Sequence, residues 1–431
     1  MKVISPVAIA GTGLISSIGR NTAACLSALE KGEAGIGEIS WLETAHRQKI
    51  PVAEVKYSNA QLVELAGYPA ISRMGARAVS GADPAASGAY PAISRADPAI
   101  SRTVLLSLIA AKEALDSAAI PGWAGLRTGL ISANTVGGMD RTENFFAGFL
   151  SDTQSGRLRE VIQHECGYST EWVADQLGIR HFQTTISTAC SSSANAIGFA
   201  ARLIRNGILD VAVAGGTDAL TKFTLNGFNA LMILDPEYCR PFDNDRKGLN
   251  LGEGAGYLVL VSEKVAATLP SGPHCMLSGY ANANDAYHQT ASSPDGRGSW
   301  LAMTTAIERS GLSPADIDYI NLHGTGTQNN DLAEGTAIRR LFDPVYPKMS
   351  STKSFTGHTL GASGGIEAVF SVLAVQHGIV YPNLRFRTPM TELPFTPETR
   401  FLKDQPIRHV LSNSFGFGGN CSSLVFSKAQ R

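Results

Sequence analysis

None of the six cysteines, at positions 25, 166, 190, 239, 275 and 421, falls in a CxxC pair or a metal-spaced cluster. A disulfide framework and a zinc site are therefore both poor readings of this chain. Charge of either sign is also not in excess, with 36 Lys and Arg against 37 Asp and Glu for a formal net charge of −1. Without a basic surplus, nothing points to nucleic acid. Long apolar runs are missing too: the stretch from Met1 to Gly19 is broken by Pro6, Gly11 and Gly13. It reads as a first strand and a Gly-rich turn rather than a leader peptide, and no segment is suited to span a membrane. A cytoplasmic protein without a metal is the expectation. What the chain has in quantity is glycine, 44 residues of 431, in a sequence that is 44% hydrophobic. That is enough apolar material for an ample core, most simply as two similar halves.

Periodicity gives the outline of those halves. Apolar spacing predicts helices over 22–31, 103–118, 300–309 and 364–377. Alternating, β-branched runs predict strands over 7–10, 128–133, 181–187, 210–214, 257–261, 275–280 and 317–323, with a closing pair at 410–414 and 422–427. Strand and helix alternate twice over, as in an α/β fold layered from sheets and helices.

The segment Thr188-Ala189-Cys190-Ser191-Ser192-Ser193 lies where a strand hands over to a helix. Unpaired amides and the positive end of a helix dipole favour a thiolate there, the form of cysteine that attacks carbonyls. A lone cysteine would read as a small buried apolar residue. Cys190 has company: His323 in Asn321-Leu322-His323-Gly324-Thr325-Gly326-Thr327, and His358 in Lys353-Ser354-Phe355-Thr356-Gly357-His358, both hemmed by glycine. With the turn Asn413-Ser414-Phe415-Gly416-Phe417-Gly418-Gly419-Asn420, this is a constellation for acyl transfer onto sulfur.

These four segments resemble the elongating β-ketoacyl-ACP synthases (types I and II) of the thiolase superfamily, whose catalytic set is Cys-His-His. The resemblance runs in order from Val3 to Phe426 and takes in Ala214-Gly215-Gly216-Thr217-Asp218, Arg240-Pro241-Phe242-Asp243, Gly252-Glu253-Gly254-Ala255-Gly256, Asp285-Ala286-Tyr287-His288, and Asn330-Asp331 with Glu334. It implies a thiolase-like five-layered αβαβα fold with internal duplication, residues 1–260 carrying the nucleophile and 261–431 both histidines. It also implies acyl carrier protein as partner, a homodimer or a ketosynthase-type heterodimer, and no cofactor beyond the phosphopantetheine arm on which substrates ride.

The implied reaction is a decarboxylative Claisen condensation of an acyl group on Cys190 with malonyl-ACP, in fatty acid, aryl-polyene or polyketide-type biosynthesis. By the same resemblance, the backbone N–H groups of Cys190 and Phe417 form the oxyanion hole, and His323 and His358 stabilise the enolate formed on decarboxylation. Lys353 would tune His358 or place a water, with Glu367 as its partner; a structural ion pair is the other reading. Thr325 and Thr327 would bind the pantetheine arm or serve only the turn. Phe417 would gate the acyl pocket or pack as a core aromatic. Arg240, Arg246 and Lys247 would face an acidic carrier protein or be solvated surface. Ser191-Ser192-Ser193, where Ala-Thr-Gly is more usual, hints at a specialised pathway.

Other functions remain in view. Coenzyme A-using thiolases and priming synthases fit less well, since the priming type resembles Cys-His-Asn and the Gly-Thr-Gly-Thr and Lys-Ser-x-x-Gly-His segments point away from both. A non-catalytic, chain-length-determining partner subunit typically lacks the nucleophile, whereas this chain keeps Cys190, His323, His358 and Lys353.

One stretch does not fit. Pro-Ala-Ile-Ser-Arg occurs at 69–73, 91–95 and 98–102, within a region mostly of Ala, Gly, Ser and Pro. Residues 69–102 read as a low-complexity insertion or an artefact of the sequence. Excising 74–102 joins the first Ser-Arg directly to the helix predicted from 103.

Overall fold

Four of the strands of this chain are buried along their whole length, as sheets covered on both faces require. A computed structural model describes residues 2–67 and 100–429. Its strands are β1 Val7–Ser16, β2 Thr128–Ala133, β3 Phe182–Ile186, β4 Val211–Asp218 and β5 Gly254–Val261, then β6 Cys275–Asn284, β7 Tyr319–Asn321, β8 Lys348–Ser350, β9 His409–Gly416 and β10 Asn420–Ser427. Their order is β3-β2-β4-β5-β1-β6-β10-β9-β7-β8. Read outward from the centre, the second five repeat the first. β1–β5 and β5–β4 are antiparallel, β4–β2 and β2–β3 parallel. β6–β10 and β10–β9 are likewise antiparallel, β9–β7 and β7–β8 parallel. The two halves meet through the short β1–β6 pairing of Val7–Ile9 with Leu277–Cys275.

The principal helices repeat as well. In the first half they are α1 Arg102–Ala118, α2 Cys166–Leu177 and α3 Ser192–Arg205; in the second, α4 Arg297–Ser310, α5 Gln328–Phe342 and α6 Ser363–His377. α1 and α2 cover the outer face of the first half, α4 lies against β6 and β10 on the outer face of the second with α5 packed on it, and α3 and α6 pack against strands of both halves. The largest apolar cluster is this middle layer, where Ala196, Ile197, Val369 and Phe370 meet Ile9, Leu258, Leu277 and Phe426. α6 has no exposed face until its last turn, as an inner helix must. The result is the duplicated five-layered αβαβα architecture.

The sequence reading of 69–102 needs a correction. Residues 68–99 lie outside the described residues, but Ile100 to Arg102 belong to the fold. The Ser101 hydroxyl accepts from the Val104 N–H as the N-cap of α1. The buried Arg102 guanidinium grips Glu253 at 2.7 Å and donates to the Val55 and Tyr57 carbonyls. α2, α5 and the helix Met139–Ser151 were not foreseen. The strand expected at 317–323 is only Tyr319–Asn321, because the backbone beyond it is held by carboxylates instead of a ladder.

Candidate active site

Cys190 lies two residues before α3, on an elbow where Ala189 adopts φ +52°. Hydrogen bonds of the following serines brace the turn: Ser192 Oγ donates to the Ala189 carbonyl and accepts from the Thr188 N–H, and Ser191 Oγ donates to the Thr188 carbonyl. Ser193 Oγ accepts from the Gly365 N–H at 2.7 Å and so ties the starts of the two inner helices together. Opposite the elbow, at the end of β9, a Cβ on Gly416 would stand 3.0 Å from both the Cys190 nitrogen and the Thr188 oxygen. Any side chain there would crowd the elbow and push it back. That approach aims the Phe417 N–H at the Cys190 sulfur.

His323 follows β7 by two residues. Its N–H and that of Gly324 donate to the buried Glu334 carboxylate at 2.9 and 2.8 Å, and the next turn hangs on Asp331, which accepts from the Thr325 and Gly326 N–H groups. His358 is fixed by its backbone, donating to the Asn250 carbonyl and accepting from the Gly252 N–H. The two imidazoles stand edge to face with centroids 5.5 Å apart. Together with Cys190 they line one cleft of about 440 Å³, along with Thr325, Thr327, Phe228, Phe417 and Lys247.

The protonation of both rings follows from their partners. The Lys353 ammonium has only donors, and its Nζ lies 2.7 Å from the His323 carbonyl and 3.3 Å from His323 Nδ1, with Glu367 as its ion-pair partner. His323 Nδ1 is therefore an acceptor. His358 Nδ1 accepts from the Leu360 N–H at 3.2 Å and lies 3.0 Å from the Ser363 hydroxyl. Each ring is thus left with its proton on Nε2. Burial and then the Lys353 charge hold both well below the ordinary histidine value, so both are neutral donors.

Several expectations change on this geometry. Cys190 is not a resting thiolate. Burial pushes its thiol up to about 12, against the opposing pull of Lys353 and the Phe417 N–H. Desolvation of a nearly enclosed sulfur outweighs the helix-start effect. Lys353 touches His323 rather than His358, on which it acts through its charge alone. Arg246 is buried, donating to the Thr327, Gln328 and Asp243 carbonyls, and has no face to offer a carrier protein. Arg240 is largely covered and lies 3.9 Å from Glu237. Of that trio only Lys247, half exposed and paired with Glu237 at 3.0 Å, stands at the cleft.

The Thr325 and Thr327 hydroxyls bond each other at 2.9 Å within the cleft, and the Phe417 ring stacks on Phe228 at 5.7 Å. No pattern in the sequence marks Phe228. Asp218, also not foreseen in a role, ends β4 and accepts from Thr135 and from the Gly361 N–H at 2.7 Å; its place at the end of a Gly-Gly strand was the available signal. Among the described residues no group of three or more His, Cys, Asp or Glu side chains could hold a metal ion, and no helix is long and apolar enough to cross a membrane.

A duplicated αβαβα fold with a cysteine and two histidines converging between its halves is that of a thiolase-like condensing enzyme. Comparison with known proteins narrows the class. Residues 5–266 match the model of the β-ketoacyl synthase N-terminal domain, and residues 274–387 that of the C-terminal domain. A 3-oxoacyl-[acyl-carrier-protein] synthase 2 of Staphylococcus aureus (strain N315) is 32% identical over 98% of both chains. Its counterpart from Rhizobium meliloti (strain 1021) is 36% identical over 75% of this chain and 80% of that one. Among solved structures, the ishigamide ketosynthase/chain length factor superposes with a TM-score of 0.86 at 27% identity over 99% of both chains. The ketosynthase ApeO in complex with its chain length factor ApeC from Xenorhabdus doucetiae gives 0.79 at 29% over 98% of both. The chain belongs to the β-ketoacyl synthase family, and it is an acyltransferase of the condensing type.

Proposed function

We propose that this chain joins an acyl group, held as a thioester on Cys190, to a malonyl unit on acyl carrier protein. Cys190 Sγ attacks the carrier thioester carbonyl and keeps the acyl group, and its thiol proton passes to the departing carrier sulfur, which leaves as a thiol. Malonyl thioester then enters, its carboxylate leaves as carbon dioxide, and the electron pair passes to the α-carbon as an enolate. That carbon attacks the acyl-Cys190 carbonyl; the tetrahedral oxyanion collapses, expelling the Cys190 thiolate, which takes up a proton from solvent to restore the thiol, and a β-ketoacyl carrier thioester departs. The negative charge of the enolate falls on the thioester oxygen, where His323 and His358 present Nε2–H donors. The Cys190 and Phe417 N–H groups serve the second oxyanion. Thr325 and Thr327 hold the pantetheine arm, Phe417 gates the acyl end of the cleft, and Lys247 meets the carrier at the mouth. Lys353, fixed by Glu367, keeps His323 in its Nε2–H form. A structural neighbour is a ketosynthase in complex with its chain length factor, and a second chain of this fold is the proposed partner.

The observation that carries this reading is the pair of occupied Nδ1 atoms, which leaves two neutral donors facing one cysteine. Its test separates the half-reactions. His323→Ala and His358→Ala should still load acyl groups at Cys190, seen by intact-protein mass spectrometry, while carbon dioxide release from malonyl carrier protein falls by about 10²–10³-fold each. Release at the parent rate in both variants overturns the assignment.

A further inference from the structure

One carboxylate outside the catalytic set gathers the cations at the mouth of the cleft. Glu237 leaves 62% of its side chain open to solvent; its Oε1 lies 3.0 Å from Lys247 Nζ and its Oε2 lies 3.9 Å from Arg240 Nη2. The Lys247 hydrogen bond, and then the charges of Lys247, Arg240 and Arg387, hold its carboxyl below the ordinary value. These cations therefore stand close enough to share one anion, and Glu237 is that anion. Its position joins two recesses. Lys247 lines the Cys190 cleft, while Glu237, Arg240 and Arg387 line a neighbouring hollow of about 440 Å³, to which Arg47, Lys49 and Arg385 add further positive charge.

A cationic rim attracts an acidic protein surface, and a carrier protein is the partner under the function proposed above, on which this inference rests. An exposed ion pair is weak and exchanges readily with a competing anion. A carrier carboxylate that reaches Lys247 must displace Glu237 or lie beside it and meet its repulsion. We infer that Glu237 is a built-in competitor for the acidic side chains of the carrier: it occupies Lys247 and Arg240 in the free chain and gives them up when the carrier docks. A carrier with few carboxylates at that contact does not displace it, so Glu237 selects for strongly acidic partners.

Carbon dioxide release by the acyl-loaded full chain, followed against the concentration of malonyl carrier protein, tests it. Glu237→Gln removes the charge and keeps the size. Its KM for malonyl carrier protein should fall about two- to fivefold with kcat unchanged, and the gain should shrink as salt rises above about 0.15 M. Lys247→Gln should raise the same KM, and Glu237→Gln added to it should gain less than in the parent. Malonyl-coenzyme A brings phosphates and a pantetheine arm but no acidic protein, so its KM should not change in Glu237→Gln; an equal gain there would assign the contact to phosphate and overturn the inference. An unchanged or raised KM for the carrier in Glu237→Gln overturns it as well, while release by the parent leaves the condensation reading intact. A parent that releases no carbon dioxide from malonyl carrier protein overturns that reading, and this inference with it.

Discussion

The same elbow is built twice in this molecule, once around a cysteine and once around a glycine. In the first half Thr188-Ala189-Cys190 precedes α3 by the spacing at which Thr359-Leu360-Gly361 precedes α6, and both middle residues have left-handed backbones, φ +52° and +51°. Against the first elbow lies the end of β9, Gly416; against the second lies the end of β4, Asp218. The contrast is in that one position. Gly416 adds nothing and leaves room for a ligand beside Cys190, whereas Asp218 fills its pocket with a carboxylate that ties Gly361 to Thr135. Strand register makes Ala133 the equivalent of His323 in the repeat, so the second elbow has no imidazole at that position. Duplication supplied two scaffolds, and one was closed by a side chain.

The largest expected effect is at the nucleophile. Cys190→Ala should abolish acyl-enzyme formation, read by intact-protein mass spectrometry with an acyl carrier protein donor. Acylation at any other cysteine would end the distinction between the elbows. Next is the strand end beside it. Gly416→Val forces a branched side chain onto the Cys190 and Thr188 backbone; acyl loading should be lost, with about 1–3 kcal/mol of stability gone from overpacking, measured by urea melts. Retained loading would show that the close approach is dispensable.

The closed elbow gives a smaller, pH-dependent effect. Burial raises the Asp218 carboxyl to about 7, while an unfolded Asp titrates near about 3.9. Between those values the folded chain binds the extra proton, so this group favours folding as pH falls from about 7 towards 4, and the benefit is lost as pH rises through about 7. Asp218→Asn should flatten that dependence in urea midpoints measured across the range and cost about 1–3 kcal/mol, since its amide cannot accept every bond the carboxylate does. An unchanged profile would remove Asp218 as the tie. The smallest effect belongs to the gate: Phe417→Ala forfeits the Phe228 stack, about 0.5–1.5 kcal/mol. It should change the relative loading rates of different acyl lengths while the Cys190 thioester still forms. A common slowing for all lengths would make the ring plain packing.

Sequence pattern was enough to single out Cys190, His323, His358 and the glycine turn that share one cleft, and the alternating architecture, because each leaves a local mark: a strand meeting a helix, or a polar residue among glycines. What it could not supply were properties set by distant segments. The enclosure that raises the Cys190 thiol includes a strand end more than 200 residues away, at Gly416. The contact of Lys353 with His323 joins residues 30 apart in sequence, and the inward turn of Arg246 depends on carbonyls some 80 residues further along. α2 opens on Cys-Gly and α5 on Gln-Asn-Asn-Asp, and both starts read locally as loop.

The strand order carries one more consequence. The chain passes from β5 to β6 once, through a segment around Ala267 to His274 that is largely at the surface, and Cys190 lies on one side of it and both histidines on the other. A nick there yields two fragments, each holding an incomplete catalytic set. Co-expressed as separate polypeptides, they would regain carbon dioxide release only on reassembly, so the fold behaves as a two-input switch suited to reporting the meeting of whatever is fused to its pieces.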